Sequence, residues 1–310
     1  MGIGSSSGPY TSIHGYRIAS NGQLIALPGS PYNVSGGFLA VDPFNRFLYA
    51  ANSGDPNPGG VAVYRIEANG SLGAVPGSPF STGDDPSSIA VDPFGRFLYV
   101  SNYNSKTVSV FDVLGNGALR PVPGSPFSTG KYDVSIAAEF TGRFIYVASD
   151  LNIAITSYKV APNGVLTQIG TPISEEEPWC EQLGYNPAGG YLYLLADTAS
   201  LSTYHINLVT GLPESIGFGD VGATNTLNNP VGVAVTPDGK FIYEGNSNSI
   251  VDPNPMTLRG FKVGPTGILT LVPGSPYFPL GTFNGYSPSH PIDPALAKTL
   301  GWPSSMVVAP

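Results

Sequence analysis

The sequence predicts an all-β protein, and three observations lead to that prediction. Glycine and proline contribute 40 and 31 of the 310 residues, well above their usual shares. Short runs rich in Val, Ile, Leu and Tyr lie between them, as expected of many short strands joined by tight turns. Charged residues make up only 11% of the chain and apolar residues 41%. Such a chain can bury a large core, so global disorder is not expected.

A repeat of 47 to 50 residues runs along the whole chain. Its main marker is a short segment that ends in a tyrosine. Each copy of this segment is followed in the chain by an Asn-Gly or Thr-Gly pair, and then by Pro-Gly-Ser-Pro or a degenerate form of that motif. An additional pair at Asn21-Gly22 brings the number of units to six. Internal repeats of this length indicate a repeat architecture. The marker ends in a tyrosine in five units: Tyr49, Tyr99, Tyr146, Tyr193 and Tyr243.

Each unit is interpreted as four antiparallel strands, A to D, and the second unit illustrates them. Strand A is predicted at 88–91, and residues 92–95, Asp-Pro-Phe-Gly, suit a type I turn. Strand B follows at 96–100, and the alternating residues 107–111 predict strand C. Residues 116–117, Asn-Gly, close a hairpin because both tolerate positive φ, and strand D then ends at proline. Four such strands per unit predict the blade of a β-propeller.

The two ends of the chain predict how the ring closes. Residues 1–34 supply strands C and D of one unit, and residues 303–310 match a strand A. We therefore expect one composite blade, which removes the exposed edges of an open ring. The chain is interpreted as a single propeller domain, residues 1–310, with six blades counted and seven as the alternative. Residues 278–302 form an insertion.

Composition excludes several classes of partner. The net charge is −8, and the 13 Lys and Arg residues do not cluster, so nucleic acid is not expected as a partner. No run approaches the roughly 18 apolar residues of a membrane helix, so no transmembrane segment is predicted. No export signal is recognised at the start of the chain. Cys180 is the single cysteine, so no intramolecular disulfide can form, and the oligomeric state stays open.

The repeat residues resemble the lactonase-like propellers, a family that includes bacterial 6-phosphogluconolactonases and the Tyr-Val-Thr-Asn (YVTN) repeat proteins. The resemblance rests on the eleven residues 92–102, on strand C at 107–111 and on the Asn-Gly and Pro-Gly-Ser-Pro turns. It covers nearly the whole chain and implies a propeller, usually of seven blades, with lactone hydrolysis as one expected activity. Many relatives look exported. The chain is therefore expected to be extracytoplasmic (periplasmic, cell-surface or secreted), with its export signal absent from the given residues.

In a propeller the B–C and D–A loops share one end of the blades, here called the loop face, and the A–B and C–D turns share the turn face. The turns of this chain are uniform and its loops are irregular, so a functional site is predicted on the loop face. Three loops are long: 52–60, 246–260 and the insertion 278–302. Within the insertion, residues 293–301 predict a short helix that lies over the channel mouth.

Alignment of the units brings an acidic rim to the channel mouth. Asp133 and Cys180 occupy its first position, and Glu181 occupies the next. Crowded carboxylates can have displaced pKa values and can serve as acid, base or ligands of a hard cation. No resident cofactor is predicted, but the carboxylates of the rim could bind a divalent cation. The alternative interpretation is that these carboxylates have no function beyond hydration of the rim. Around these positions stand Asp84, Asp85, Lys131, Tyr132, Glu175, Glu176, Glu177 and Trp179.

Histidine is scarce, which limits the catalytic options. His205 is assigned to the strand C column of Tyr64 and Phe111, as a packed residue of its blade. His14 falls in the first strand C, and only His290, in the insertion, can face a ligand. Cys180 has no histidine beside it and is interpreted as a buried small residue rather than a nucleophile. The recurring arginines at the A–B turns indicate scaffold.

Three functions remain open. The first is an exported, non-catalytic module that binds a small polar ligand, glycan or protein through its loop face. The alternative is a lactone hydrolase that opens a sugar-acid lactone, with Asp133 or Glu181 as base and Lys131 or backbone amides as oxyanion donors. The third is a structural module of a surface layer or fibre. The candidate ligand-binding residues are Asp84, Asp85, Tyr132, Trp179, Asn102, Asn104, Asn52, Asn246 and His290.

Overall fold

The fold consists of β-strands joined by turns and loops. In the part of the chain that the computed structural model describes, 26 strands form the regular structure, and the all-β prediction is confirmed. No helix that could cross a membrane is found among these residues. The described residues are 12–13, 15–18, 24–33, 37–52, 59–150, 154–174, 180–196, 201–219, 230–236, 238–247, 256–273 and 275.

The first four strands form two short ladders: β1 Ser12–Ile13 pairs with β4 Tyr32–Asn33, and β2 Tyr16–Ile18 pairs with β3 Leu24–Ala26. They are the strands C and D that the sequence predicts for the composite blade. Residues 303–310, expected to complete that blade, lie outside the described residues, as do the insertion 278–302 and its helix. Ring closure and the number of blades therefore stay predictions.

Five sheets repeat the predicted order of strands A, B, C and D, with antiparallel pairing. In two of them a short fifth strand continues strand D and pairs with the beginning of strand C. The strands are β5 Phe38–Val41, β6 Phe47–Asn52, β7 Gly60–Ile66, β8 Leu72–Ala74 and β9 Phe80–Ser81; β10 Pro86–Val91, β11 Phe97–Asn102, β12 Thr107–Val113, β13 Leu119–Pro121 and β14 Phe127–Ser128; β15 Asp133–Ala138, β16 Phe144–Ser149, β17 Ala154–Val160 and β18 Leu166–Ser174; β19 Cys180–Asn186, β20 Tyr191–Ala196, β21 Leu201–Ile206 and β22 Pro213–Gly219; β23 Pro230–Val235, β24 Phe241–Ser247, β25 Met256–Val263 and β26 Leu269–Leu271.

The serine of the Pro-Gly-Ser-Pro motif caps strand C. Where strand D turns away at its prolines, it no longer offers a carbonyl to the neighbouring strand. The hydroxyl of Ser78 accepts the N–H of Val63 at 2.8 Å, and that of Ser125 accepts the N–H of Val110 at 2.9 Å. Since a buried N–H must find an acceptor, the hydroxyl supplies the one that the departing strand withdraws. The first and last described copies of the motif make the same bond, from Gly15 to Ser30 and from Gly260 to Ser275.

The A–B turns are held by a buried carboxylate. Asp92 is fully buried, and its Oδ1 accepts the N–H groups of Phe94 and Arg96 at 2.9 and 3.2 Å. The Arg96 guanidinium closes the turn with Nη2 at 2.7 Å from Asp92 Oδ2, and it also donates to the carbonyl of Gly142 in the next blade. Asp42 and Arg46 repeat the ion pair at 2.7 Å. These arginines are structural, as the sequence indicates.

The C–D hairpin differs from its prediction in one detail. Gly117 has a φ of 89°, but Asn116 is not among the described residues with positive φ. Instead, Asn116 Oδ1 accepts the N–H of Ala118 at 3.0 Å. A Cβ on Gly117 would come within 2.5 Å of the Phe47 ring, so both conformation and packing require glycine here.

The described residues form two compact units, one reaching Asp150 and including 156–169, the other comprising 154–155 and the residues from Gly170 onward. In the first unit, Tyr49 and Val61 of one blade pack against Leu98 and Val100 of the next. A sheet can pack against a blade on either side, because successive side chains of a strand point to opposite faces of the sheet. In the second unit, the corresponding core joins Tyr193, Leu195 and Leu201 to Ile242 and Phe261.

The assignment of His205 to the packed strand C column is wrong by one residue. Tyr204 is opposite Leu192 and fully buried, as Phe111 is opposite Leu98. His205 is exposed, and its ring centroid lies 5.6 Å from that of Tyr191. Because the side-chain period of a strand is two, an alignment offset of one residue moves a side chain to the other face. His14 lies outside the described residues.

Candidate functional site

The rim position identified by alignment is the first residue of strand A in four blades. Pro86, Asp133, Cys180 and Pro230 begin β10, β15, β19 and β23. In each case the register shifts directly after this residue, which marks a β-bulge. Bulges occur at strand ends and re-aim side chains near functional sites. The alignment of the units therefore agrees with the structure, and it places one acidic side chain at a repeated irregularity.

Asp133 is a fully buried carboxyl group held by two hydroxyl groups. Ser149 Oγ donates to Oδ1 at 2.9 Å, and Thr129 Oγ1 donates to Oδ2. Burial raises the pKa of Asp133 to about 6, while the hydrogen bonds from Thr129 and Ser149 and the charge of Lys131 oppose the rise. A carboxyl group with a pKa this close to neutrality can both take up and release a proton at physiological pH.

The blade that carries Asp133 differs from the others at both members of the Asp133–Ser149 pair. In the three other blades that show this bulge, the position of Asp133 holds proline or cysteine, and the position of Ser149 holds asparagine or alanine. Neither residue is therefore required by the repeat, and the two occur together. The opposed pairs are Pro86 and Asn102, Asp133 and Ser149, Cys180 and Ala196, and Pro230 and Asn246.

Thr129 links the buried carboxyl group to the loop face. Its side chain is half-buried, and Oγ1 lies 2.9 Å from the carbonyl oxygen of Lys106 as well as next to Asp133 Oδ2. A hydroxyl has one proton to donate and can accept another. When Asp133 is ionised, Thr129 donates to it; when Asp133 is protonated, it can donate to Thr129, whose own proton then turns to the Lys106 carbonyl. Lys131, also half-buried, follows in the same loop.

An aromatic pair lies beside Asp133. The rings of Tyr103 and Tyr132 come from adjacent blades, with centroids 5.0 Å apart and planes inclined at 41°. The Lys106 ammonium lies 4.1 Å from the centroid of the Tyr132 ring. Asp150 holds both tyrosines: it accepts the Tyr103 hydroxyl at 3.0 Å, and its N–H donates to the Tyr132 carbonyl at 2.8 Å. That hydroxyl bond, with burial, raises the pKa of Tyr103.

The other predicted residues of the first unit take different roles. Asp84 and Asn104 are exposed on the loop face. Asp85 is half-buried at a φ of 57°, its carbonyl accepts the N–H of Tyr103 at 2.8 Å, and burial raises the pKa of its carboxyl group. Asn102 is fully buried, and its amide donates to the Thr107 carbonyl at 3.1 Å. We therefore assign Asn102 to the scaffold. Asn52 ends β6 and is half-buried.

Several predicted residues cannot be joined to this cluster. Cys180 and Glu181 begin β19, and Asn246 lies in β24, all in the second unit. Trp179, His290 and the three consecutive glutamates at 175–177 lie outside the described residues. Among the residues that are described, no group of three or more His, Cys, Asp or Glu side chains is arranged to hold a metal ion.

Three features were missed in the sequence. Lys106 and Asp150 were missed because they belong to short B–C loops, whereas the prediction from the sequence singled out the long loops. The third is a buried ion pair in the second unit, with Arg259 Nη2 2.6 Å from Glu244 Oε1 and side chains that are 5% and 0% exposed. The sequence does carry a signal of this ion pair. Glu244 follows the repeat tyrosine, at a position where other units have the apolar residues Ala50, Val100, Val147 and Leu194.

Comparisons with known proteins agree with this fold. Residues 3–125 match the family described as "Lactonase, 7-bladed beta-propeller". No curated protein is significantly similar to the chain. The family match and the structural likeness together confirm the resemblance to lactonase-like propellers, and the description of seven blades corresponds to the alternative count.

Solved structures resemble the chain over most of its length at low sequence identity, so they show the fold alone. A protein proposed to be a 6-phosphogluconolactonase from Bacteroides uniformis superposes with a TM-score of 0.70 and 20% identity, covering 87% of this chain and 80% of its own. The periplasmic gluconolactonase of Pseudomonas aeruginosa gives 0.63 and 20%, covering 84% and 76%. A protein from Lactobacillus plantarum gives 0.65 and 20%, covering 87% and 80%.

Proposed function

We propose that this chain is a lactone hydrolase in which Asp133 is the general base. The family match over residues 3–125 and the two similar folds described as gluconolactonases favour this function over the binding module that composition and histidine scarcity suggested first. The observation that carries the proposal is the buried Asp133 carboxyl group, fixed by two hydroxyls and with a pKa of about 6.

Hydrolysis of a lactone requires a base that activates water. In the proposed step, a water molecule on the loop face gives one proton to Thr129 Oγ1, while Thr129 passes its own proton to Asp133 Oδ2. The water oxygen forms a bond to the lactone carbonyl carbon, and the carbonyl electron pair moves onto the carbonyl oxygen. The relay is supported by the position of Thr129, since this residue is half-buried and bonds to Asp133, which is fully buried.

The resulting oxyanion requires a positive partner, and the Lys131 ammonium is the best candidate because its charge already acts on Asp133. Collapse of the tetrahedral intermediate restores the carbonyl and breaks the bond between its carbon and the ring oxygen. Asp133 then returns its proton through Thr129 to that oxygen, which becomes a hydroxyl group. One lactone and one water give one hydroxy acid, and the base is regenerated.

The direct test is a pH-stat assay with D-glucono-1,5-lactone, corrected for spontaneous hydrolysis. We expect Asp133→Asn to lower kcat by about 100-fold or more, the usual range for a lost general base. Thr129→Val should give a loss of the same order, and Thr129→Ser should restore the rate. Asp112→Asn is the matched control, because Asp112 pairs with Arg120 in the C–D hairpin of the neighbouring blade. A wild-type rate equal to that of buffer, or an unchanged rate in Asp133→Asn, overturns the proposal.

The proposal includes an extracytoplasmic site of action. It is supported by the composition, with 13 Lys and Arg against 40 Gly and 31 Pro. Fractionation of the native host, followed by immunodetection of the chain in periplasmic, surface and medium fractions, tests it; recovery in the cytoplasmic fraction alone would contradict it.

A further inference from the structure

We propose that Tyr103 and Tyr132 form the surface against which the ring of the lactone substrate packs, and that Asp150 is the positioning residue of this surface. The inference rests on the proposed function and deepens it. It names the residues that hold the ring while Asp133 acts on its carbonyl group.

The two tyrosines are unlike the other tyrosines of their blades. Tyr99 and Tyr146, in the B strands, are 1% and 0% exposed and fill the space between blades. Tyr103 and Tyr132 are half-buried and lie on the loop face, and neither belongs to the two core clusters to which the B strands of these blades contribute. They contact each other across the blade boundary, and both side chains stay partly exposed. Partly exposed rings with a polar hydroxyl are typical of binding surfaces, where one end of the side chain is apolar and the other is wet.

Both rings have partners before any ligand arrives. Asp150 holds the Tyr103 ring by accepting its hydroxyl, and its N–H holds the Tyr132 backbone by donating to the Tyr132 carbonyl. The Tyr132 ring itself contacts the Tyr103 ring. The Lys106 ammonium, 4.1 Å from the centroid of the Tyr132 ring, adds a cation–π contact. A rigid surface of this kind costs little conformational entropy on binding.

The surface is tied to the base through two direct chain connections. Tyr132 precedes Asp133, so their Cα atoms are about 3.8 Å apart by peptide geometry. Asp150, which holds the tyrosines, directly follows Ser149, which holds the Asp133 carboxylate. The base and the Tyr103 ring are thus held by consecutive residues of one strand end, Ser149 and Asp150.

The chemistry of the surface fits a saturated ring that carries hydroxyl groups. The C–H face of such a ring is apolar and can pack on an aromatic face, while its hydroxyls need polar partners at the edge. Asp84 and Asn104 are exposed on the same loop face and offer such partners. A few polar groups around an apolar contact are what orient a small ligand in its site.

The test separates ring binding from catalysis. We expect Tyr103→Ala to raise KM for D-glucono-1,5-lactone about three- to tenfold, as for the loss of one aromatic contact, with kcat within about twofold of wild type. Tyr103→Phe and Asp150→Asn, which keep the ring but loosen it, should raise KM by a smaller factor. Phe94→Ala is the matched control, because Phe94 is a 53% exposed aromatic residue at the turn face. An unchanged KM in Tyr103→Ala overturns the proposal.

A second measurement does not depend on hydrolysis. The probe is 1,5-anhydro-D-glucitol, a six-membered sugar ring without a carbonyl group, observed by saturation-transfer NMR on Asp133→Asn protein. We expect its ring C–H protons to be saturated, and the signal to be lost when Tyr103→Ala is added. Loss of the signal in a chain that does not hydrolyse lactones would support the surface and refute the proposed function. Lactone hydrolysis by the wild-type chain, together with a signal that Tyr103→Ala leaves unchanged, would support the proposed function and refute the aromatic surface. If Tyr103→Ala fails to fold, Tyr103→Leu, which removes the aromatic ring but keeps a bulky side chain, decides both measurements.

Discussion

Ser149 and Asp133 are opposite each other across the first two strands of one blade, and the serine hydroxyl donates to the buried carboxylate at 2.9 Å. The register of a single antiparallel pair therefore determines the orientation of the proposed base. Because the donor stabilises the charged form, Ser149 also holds the pKa of Asp133 lower than burial alone would set it.

Removal of this donor should shift the pH dependence of the proposed lactone hydrolysis. In Ser149→Ala the ionised carboxylate loses a hydrogen bond, so the pKa of Asp133 should rise above its value of about 6. The base is active when ionised, and the acidic limb of kcat/KM against pH should therefore move to higher pH, by about one unit. Ser149→Thr keeps a hydroxyl and serves as the control. An acidic limb that stays in place in Ser149→Ala would show that Asp133 is not the group being titrated.

The buried Asp133 carboxylate should lower the free energy of unfolding at neutral pH. Its pKa is about 6 in the folded chain, against about 3.9 for an exposed aspartate. The folded state therefore binds more protons between these values, and the free energy of unfolding falls as pH rises from about 4 to about 6. Asp133→Asn should remove this fall and should be about 3 kcal/mol more stable than wild type at pH 8. Urea unfolding at pH 4, 6 and 8 measures both effects; parallel stability curves for the two proteins would contradict the prediction.

Chelation of divalent cations should leave the activity unchanged. The proposed chemistry uses Asp133 as the base, Thr129 as the relay and Lys131 as the oxyanion partner, so no step of it requires a cation. Dialysis against EDTA followed by the pH-stat assay checks this, with added calcium, magnesium or zinc as the comparison. Activity that is lost on dialysis and restored by one of these ions would instead assign a cation to the acidic rim, whose glutamates at 175–177 lie outside the described residues.

The serine of the Pro-Gly-Ser-Pro motif should contribute to stability and not to catalysis. Ser125→Ala leaves the Val110 N–H without the hydroxyl that now accepts it at 2.9 Å. An unsatisfied backbone N–H costs about 1–3 kcal/mol. Thermal unfolding should show this loss with kcat unaffected, while Ser128→Ala, at an exposed serine three residues later, should have little effect. Equal stability of the two variants would mean that the motif serves the turn alone.

The repeat made most of the fold predictable, because it consists of residues whose effects on backbone conformation are local. Proline, glycine and asparagine select their turns through φ and hydrogen bonding, and alternation marks the strands between them. Alignment of the units placed Asp133 at one position with Pro86, Cys180 and Pro230, and the structure shows that this position begins a strand A. The offset at His205 shows the limit of that reasoning, as a change of one residue in strand C exchanges the two faces.

The contacts between blades could not be predicted from the sequence. Asp150 reaches Tyr103 across a blade boundary, 47 residues away in the chain. Whether two such side chains meet depends on the twist and spacing of the sheets, which no local pattern encodes. For the same reason the burial of Asn102 was missed, because an asparagine at the end of a strand has the same sequence environment whether it faces a ligand or its own sheet.

The Arg96 guanidinium, which closes its own A–B turn and also donates to the Gly142 carbonyl of the next blade, fixes the spacing of neighbouring blades from the turn face. The same two blades also meet on the loop face, where Asp150 accepts the Tyr103 hydroxyl. The first contact is built from residues of the repeat, whereas the second is built from residues outside the repeat motifs. Substitutions at the loop-face contact can therefore alter the proposed substrate surface while the turn-face contact still joins the two blades.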